Sequence, residues 1–122
     1  MACRRLDLAE AVAGSLQQPA PQLVHYVIVR SDLPHGVQVA QTAHAAGESH
    51  GVPTGTIVVA LAVPDEQSLH NVAKALGAQS QDYALIVETE GSYAGQAMAI
   101  GVAPTSDRAA VRKAVSALPL VR

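Results

Sequence analysis

The sequence contains no phenylalanine and no tryptophan, only three tyrosines, and a single cysteine. So few rings exclude a platform that stacks single-stranded bases. Cys3 alone excludes an internal disulfide and a cysteine-rich metal site. Charge is also scarce. Only 15% of the residues are Asp, Glu, Lys or Arg, and 8 Lys+Arg stand against 10 Asp+Glu, a net charge of −2. That balance excludes a general nucleic-acid coat and leaves room for no more than a local basic patch. No apolar run reaches the roughly 18 residues of a membrane span, and the N-terminal stretch has no signal-peptide core. A cytoplasmic protein without a membrane partner is the expectation. The five histidines have no metal-ligand spacing, since His44 and His50 do not form the i, i+4 helical pair. Neither a metal nor another cofactor is expected.

What the chain has in abundance is small apolar residues: 23 Ala and 16 Val among 122 residues, with 49% hydrophobic overall. That composition and length suit one globular domain whose helices approach the sheet closely. Residues 1–22 read as an N-terminal arm or short helix, with Ala9, Val12, Ala13 and Leu16 at helical spacing, Asp7 as its cap, and Pro19 and Pro21 as its end. Residues 23–122 read as the α/β domain. Leu23 to Arg30 is a buried strand, and Ser31 to Gly36 a loop. A helix then runs from about Val37 to Ser49. Thr56 to Val63 is a nearly continuous β-branched and apolar run, as expected of a strand covered on both faces. Pro64 and Asp65 open a helix in which Leu69, Val72, Ala73 and Leu76 share a face and Gly77 closes the end. Tyr83 to Val87 and Ala97 to Ala103 are two further strands. Thr105 or Ser106 caps a last helix carrying Val111, Val115 and Leu118. The order β-α-β-α-β-β-α predicts a largely parallel sheet covered on both sides, with one antiparallel member.

Sites in open α/β sheets form beyond the carboxyl ends of parallel strands. The first such end delivers Arg30, Ser31 and Asp32, and the third delivers Glu88, followed by Glu90, Ser92 and Tyr93. On the first helix, Val39, Ala40, Ala43, Ala46 and Gly47 make a small-residue face expected to lie on the sheet. Val37, Gln41, His44 and Glu48 form a narrow stripe beside it. A cleft between helix and turn would gather Gln41, His44 and Glu88. Each residue also has a plainer reading: His44 as a structural hydrogen-bonder, Gln41 bound to a loop carbonyl, Asp32 as loop organiser or cap, and the glutamates as solvated turn residues. Arg108, Arg112 and Lys113 read either as a phosphate-facing patch or as a solvated helix surface.

The segments Tyr26-Val-Ile-Val-Arg30-Ser-Asp32-Leu33 and Val39-Ala-Gln41-Thr-Ala-His44-Ala-Ala46 resemble the signature of the archaeal and eukaryotic (type 2) peptidyl-tRNA hydrolases. Ala62-Val-Pro64-Asp65-Glu66, Ala84-Leu-Ile-Val-Glu88 and Ile100-Gly101-Val-Ala-Pro104 are similar to later segments of that family. The likeness runs from about Leu23 to the C-terminus. It implies a three-layer α/β/α fold with a four-stranded mixed, mostly parallel sheet, and a homodimer. It also implies a reaction, hydrolysis of the ester between a peptide and the tRNA ribose or of a similar acyl ester, with no DNA partner. It places Gln41 and Glu88 at the family's site positions; with His44 of the same motif they are the catalytic candidates, and Arg30, Asp32, His35 and Ser92 are the substrate-binding candidates, Arg30 or His35 supplying positive charge. The chain departs from the family pattern at Val37, where the family carries a lysine, and in a shortened approach loop, Pro34-His35-Gly36. Met98 falls at a family threonine position, and Ser92 stands in for another. Two functions therefore follow from the resemblance. One is a carboxylic ester hydrolase; the other is a binding or adaptor module that keeps the fold without turnover. A small-ligand regulatory domain is a third reading, resting on the α/β architecture alone.

Overall fold

The computed structural model describes residues 21–49 and 51–122. The helix expected within residues 1–16 lies outside the described residues. Of the arm's last residues, Gln22 donates its side-chain amide to the backbone oxygens of Leu23 (2.8 Å) and Gly55 (3.0 Å). The elements in order are β1 (Val24–Arg30), α1 (His35–Glu48), β2 (Ile57–Val63), α2 (Glu66–Ala78), β3 (Tyr83–Val87), a 3-10 turn (Gly91–Tyr93), β4 (Ala97–Val102) and α3 (Arg108–Val115).

The four strands form one mixed sheet in the order β2-β1-β4-β3. β1 and β2 pair in parallel from Val24↔Ile57 to Arg30↔Val63, while β4 is antiparallel to both of its neighbours. Three strands therefore share one direction, and β4 is the single antiparallel member. The mostly parallel sheet expected from the sequence needs correction at the level of pairing. β4 returns beside β3 and also inserts next to β1, so one pairing is parallel and two are antiparallel.

Being interior, β1 and β4 are buried along their whole length, whereas the edge strands β2 and β3 are buried only in part. Alternation along β1 divides the core in two. Val24, Tyr26 and Ile28 face α2 and α3, meeting Leu69, Val72, Ala73, Leu76, Val111 and Val115. Val27 and Val29 face α1, meeting Ala45, Ile86 and Ala99. The i, i+3, i+4, i+7 residues of α2 are the ones it buries, Leu69, Val72 and Leu76 each contributing about 1.5–3 kcal/mol of transfer free energy and Ala73 less. Asp65 caps α2 by accepting from Ser68 N at 2.8 Å.

Two helix ends differ from expectation. Gly77 lies inside α2, and the left-handed residue after its end is Ser80, with φ 54°. Gln81 N donates to Leu76 O and Ser80 N to Gly77 O, both at 3.0 Å, which is the paired closure that ends a helix at a left-handed residue. At α3 the cap is Asp107, which accepts from Ala110 N, while the Thr105 hydroxyl accepts from Asp107 N at 2.9 Å.

The seating of α1 is the largest departure. Ala40, Ala43 and Gly47 are exposed and Val39 is 60% accessible, so all of the small-residue face except Ala46 points away from the sheet. The helix instead buries Gln41, Ala45 and Ser49, with Gln38, Thr42 and Ala46 half-buried beside them. Backbone fit and polar contacts chose this face over apolar content. A Cβ on Gly101 of β4 would collide with the Ala45 carbonyl and lie 2.6 Å from Ser49 Oγ, so the helix backbone lies on the strand itself. Next to it, His25 Nε2 and Ser49 Oγ share a buried 2.7 Å hydrogen bond.

Burial holds the His25 pKa below its ordinary 6.5. The unfolded chain therefore takes up a proton that the native state resists, and stability is lost as pH falls below 6.5. Denaturant midpoints should rise from pH 5 toward pH 7, with the His25 ring titrating below 6.5 by NMR. A His25 midpoint at or above 6.5 would contradict this account.

Candidate functional site

Two polar constellations stand at the end of the sheet where β1 and β3 finish and β4 begins. One lies on the α1 side. Gln41, in the second turn of α1, is only 5% exposed, and its Nε2 donates to Glu88 Oε2 at 3.0 Å. Glu88 follows β3 directly, and its backbone is pinned by Glu88 N to Gln96 O (3.0 Å) and Gly95 N to Glu88 O (2.8 Å). Gly95, at φ 82°, supplies the left-handed backbone that lets the chain return there. A bulge between Ile86 and Val87 shifts the ladder just before Glu88, a device that re-aims the side chains beyond it.

The other carboxylate oxygen of Glu88 accepts from Thr89 N (2.9 Å) and Glu90 N (3.3 Å). These backbone donors, then the Gln41 amide, hold the Glu88 pKa below its ordinary 4.5, so it is a fixed anion at neutral pH. The carboxylate dictates which way the Gln41 amide points, because only the nitrogen can donate. Gln41 Oε1 is thereby left buried without a hydrogen-bond partner. An acceptor buried in that state costs about 1–3 kcal/mol. Gln41, His44, Glu48, Ile86, Val87, Glu88 and Thr89 line an open cleft of about 190 Å³.

Gln41, His44 and Glu88 are thus brought together as their spacing predicts, and Glu48 joins them from the same helical stripe. Val37, the stripe's first member, does not line the cleft. Thr89 does, and sequence reasoning missed it; its position beside Glu88 was the available signal.

The second constellation lies on the α2 side. Arg30 is 7% exposed and makes a two-pronged ion pair with Asp32, Nε to Oδ1 at 2.9 Å and Nη2 to Oδ2 at 2.8 Å. Its Nη1 donates to Gln96 Oε1 (2.9 Å) and the Ala97 carbonyl (3.1 Å). The Asp32 hydrogen bond raises the Arg30 pKa further, so the guanidinium is a permanent cation. Asp32 does not cap α1, which starts after Pro34 with no side-chain cap. Arg30 ties the loop leading into α1 to the start of β4, one residue from the backbone that pins Glu88. Glu66 adds to this bracket by accepting from Ala97 N at 2.7 Å. Gln96 carries no sequence signal that separates it from ordinary surface residues, and Glu66 stands out only as the end of the family-like segment Ala62 to Glu66. His35 and Ser92 are exposed, on the first turn of α1 and in the 3-10 turn, and neither lines the cleft. Among the described residues, no group of three or more His, Cys, Asp or Glu could hold a metal ion. Also among them, no helix is long and apolar enough to cross a membrane.

Gln41→Leu removes one of Glu88's donors, so the Glu88 carboxyl should titrate closer to its ordinary value, read by carboxyl-carbon NMR; an unchanged midpoint would refute the coupling. Arg30→Met, which strands the Ala97 carbonyl and Asp32, should lower unfolding free energy by about 2 kcal/mol, whereas exposed His35→Ala should stay within about 0.5 kcal/mol. Compared with family models and with curated proteins, the chain matches none of them.

Proposed function

We propose that the chain is an ester hydrolase of the peptidyl-tRNA hydrolase type, acting on the bond between an acyl group and a tRNA ribose oxygen or on a similar ester. The observation that carries this reading is the 3.0 Å contact of Gln41 Nε2 with Glu88 Oε2 at the cleft, with His44 one turn along α1. An α-helix resting on one sheet face and two helices on the other are consistent with the three-layer arrangement that the resemblance implies.

Ester hydrolysis needs an oriented water and a carbonyl held in place. Water adds to the carbonyl carbon, the bond from that carbon to the ribose oxygen breaks, and the ribose oxygen leaves with a proton. Glu88, ionised and fixed by backbone N–H groups, accepts a hydrogen bond from the water and aims its lone pair. With its pKa held low, Glu88 is a weak base and takes a proton only as the new bond forms. Gln41 keeps the carboxylate in register, and His44 is the neighbouring group able to pass a proton on.

A second reading is a binding module without turnover. It is favoured by Val37, which can supply no charge where the resemblance expects a lysine, and by the lack of Lys or Arg among the cleft residues. Arg30 does not fill that need, being committed to Asp32. Release of peptide from peptidyl-tRNA decides between the two. Turnover should be measurable at micromolar protein and fall about 100-fold or more in Glu88→Gln. Val37→Lys should raise it tenfold to a hundredfold, the worth of about 1.5–3 kcal/mol for a charge-assisted contact. No release by wild type or by Val37→Lys would leave the binding module as the answer.

A further inference from the structure

We propose that the outer edge of β3 binds an extended peptide as an added strand, parallel to β3, and that this peptide is the acyl part of the ester, led to Glu88 by its terminal carbonyl. The word ester rests on the hydrolase reading above; peptide binding at the edge is a separate property, measurable without turnover.

β3 (Tyr83–Val87) ends the sheet on its side, and among the described residues no strand pairs with its outer edge. Its inner edge is taken by β4. The Asp82 carbonyl accepts from Ala103 N at 2.9 Å, and Glu88 N donates to Gln96 O at 3.0 Å. The extra residue of the bulge is Met98 on β4, so the alternation of backbone groups along β3 is unbroken. Ala84 and Ile86 therefore turn their N–H and C=O groups to β4, whereas Tyr83, Leu85 and Val87 turn theirs outward.

Two further observations mark this edge. The opposite edge of the sheet is closed by the chain itself, through Ala62 N to Pro119 O at 2.9 Å and Val121 N to Ala60 O at 3.0 Å. The segment Tyr83-Ala-Leu-Ile-Val87 has neither that cover nor the charge or proline that guards an exposed edge. The edge also runs into the cleft. Ile86, Val87 and Glu88 line it from the strand, His44 and Glu48 from α1, and Val87 is 46% exposed.

Direction follows from the chemistry. The carbonyl to be attacked is the peptide's last one, and Glu88 stands at the C-terminal end of β3, so peptide and strand run the same way. The five residues of β3, at about 3.3 Å each, offer about 16 Å of edge, room for about four residues of peptide. Main-chain hydrogen bonds hold such a peptide whatever its side chains, which alternate between the α1 side and the α2 side. A second copy of this chain fits the edge less well. In the fully overlapped antiparallel pairing, Asp82 of each copy stands opposite Glu88 of the other, like charge against like.

The test has two arms, both on the full chain. The first follows amide hydrogen exchange by NMR as N-acetyl-tetraalanine amide is added. Exchange at Tyr83, Leu85 and Val87 should slow severalfold and saturably, while Ala84 and Ile86, already bonded to β4, stay unchanged. No slowing at those three, or slowing that grows with protein concentration in the absence of peptide, overturns the proposal. The second arm compares kcat/KM for N-acetylalanyl-tRNA, N-acetyl-tetraalanyl-tRNA and two forms of the latter N-methylated on alternate residues, in opposite registers. The longer peptide should be hydrolysed about tenfold better through its added hydrogen bonds. Only one methylation register should abolish that gain, since every second amide faces the edge. Equal rates on short and long peptides, or equal loss in both registers, overturns the edge proposal and leaves the hydrolase reading standing. No turnover on any substrate, with the exchange protection intact, removes the hydrolase reading and leaves the edge as a peptide-binding site.

Discussion

Helix α1 rests on β4 with no side chain between them at Gly101, and the position of every group in the cleft depends on that contact. A side chain at Gly101 would meet the Ala45 carbonyl, so the helix could keep neither its height nor its rotation over the sheet. At the observed rotation Gln41 turns inward, one helical turn before Ala45, and comes within hydrogen-bond distance of Glu88. Ser49, a turn later, meets His25. One close backbone approach thus holds three polar or small residues against the sheet in a row: an amide, a methyl and a hydroxyl. The arrangement is paid for in apolar burial, since Val39, Ala40 and Ala43 are left facing outward.

Arg30 completes the support from the opposite face. Its fork on Asp32 holds the loop entering α1, and its remaining nitrogen holds Gln96 and Ala97 at the start of β4. Those are the segments that carry Gln41 and Glu88 to one another. Arg30, the most buried Lys or Arg among the described residues, therefore stiffens the cleft without entering it, and the lining keeps its acidic character. A shortage of positive charge that looks global in the composition is thus a local property of the cleft.

Much of this was legible beforehand because it depends on short-range pattern. The apolar positions of α2, the continuous run of β1 and the Asp65 cap each follow from spacing or from one side chain beside its own helix, whereas β2, whose run predicts a strand covered on both faces, is an edge strand that leaves Val58 exposed. The meeting of Gln41, His44 and Glu88 was legible too, since two of them share a helical stripe and the third ends a strand. The rotation of α1 was not. Apolar periodicity points to Val39, Ala40 and Ala43 as the inward face, and what opposes it lies far along the chain at Gly101. The use of Arg30 was hidden for a similar reason, because its partners Gln96 and Ala97 belong to a distant strand.

By itself the sequence determined the elements, their order, the scarcity of rings and cations, and which residues stand at strand ends and helix stripes. These are properties of neighbouring residues, set by side-chain volume, backbone preference and a period of 3.6 or 2. Only the tertiary structure decided that β4 inserts between β1 and β3, that α1 buries its amide rather than its valine, and that Arg30 is a brace. Those outcomes rest on hydrogen bonds and backbone clearances between segments far apart in the chain, and no local pattern encodes a distance that exists only after folding.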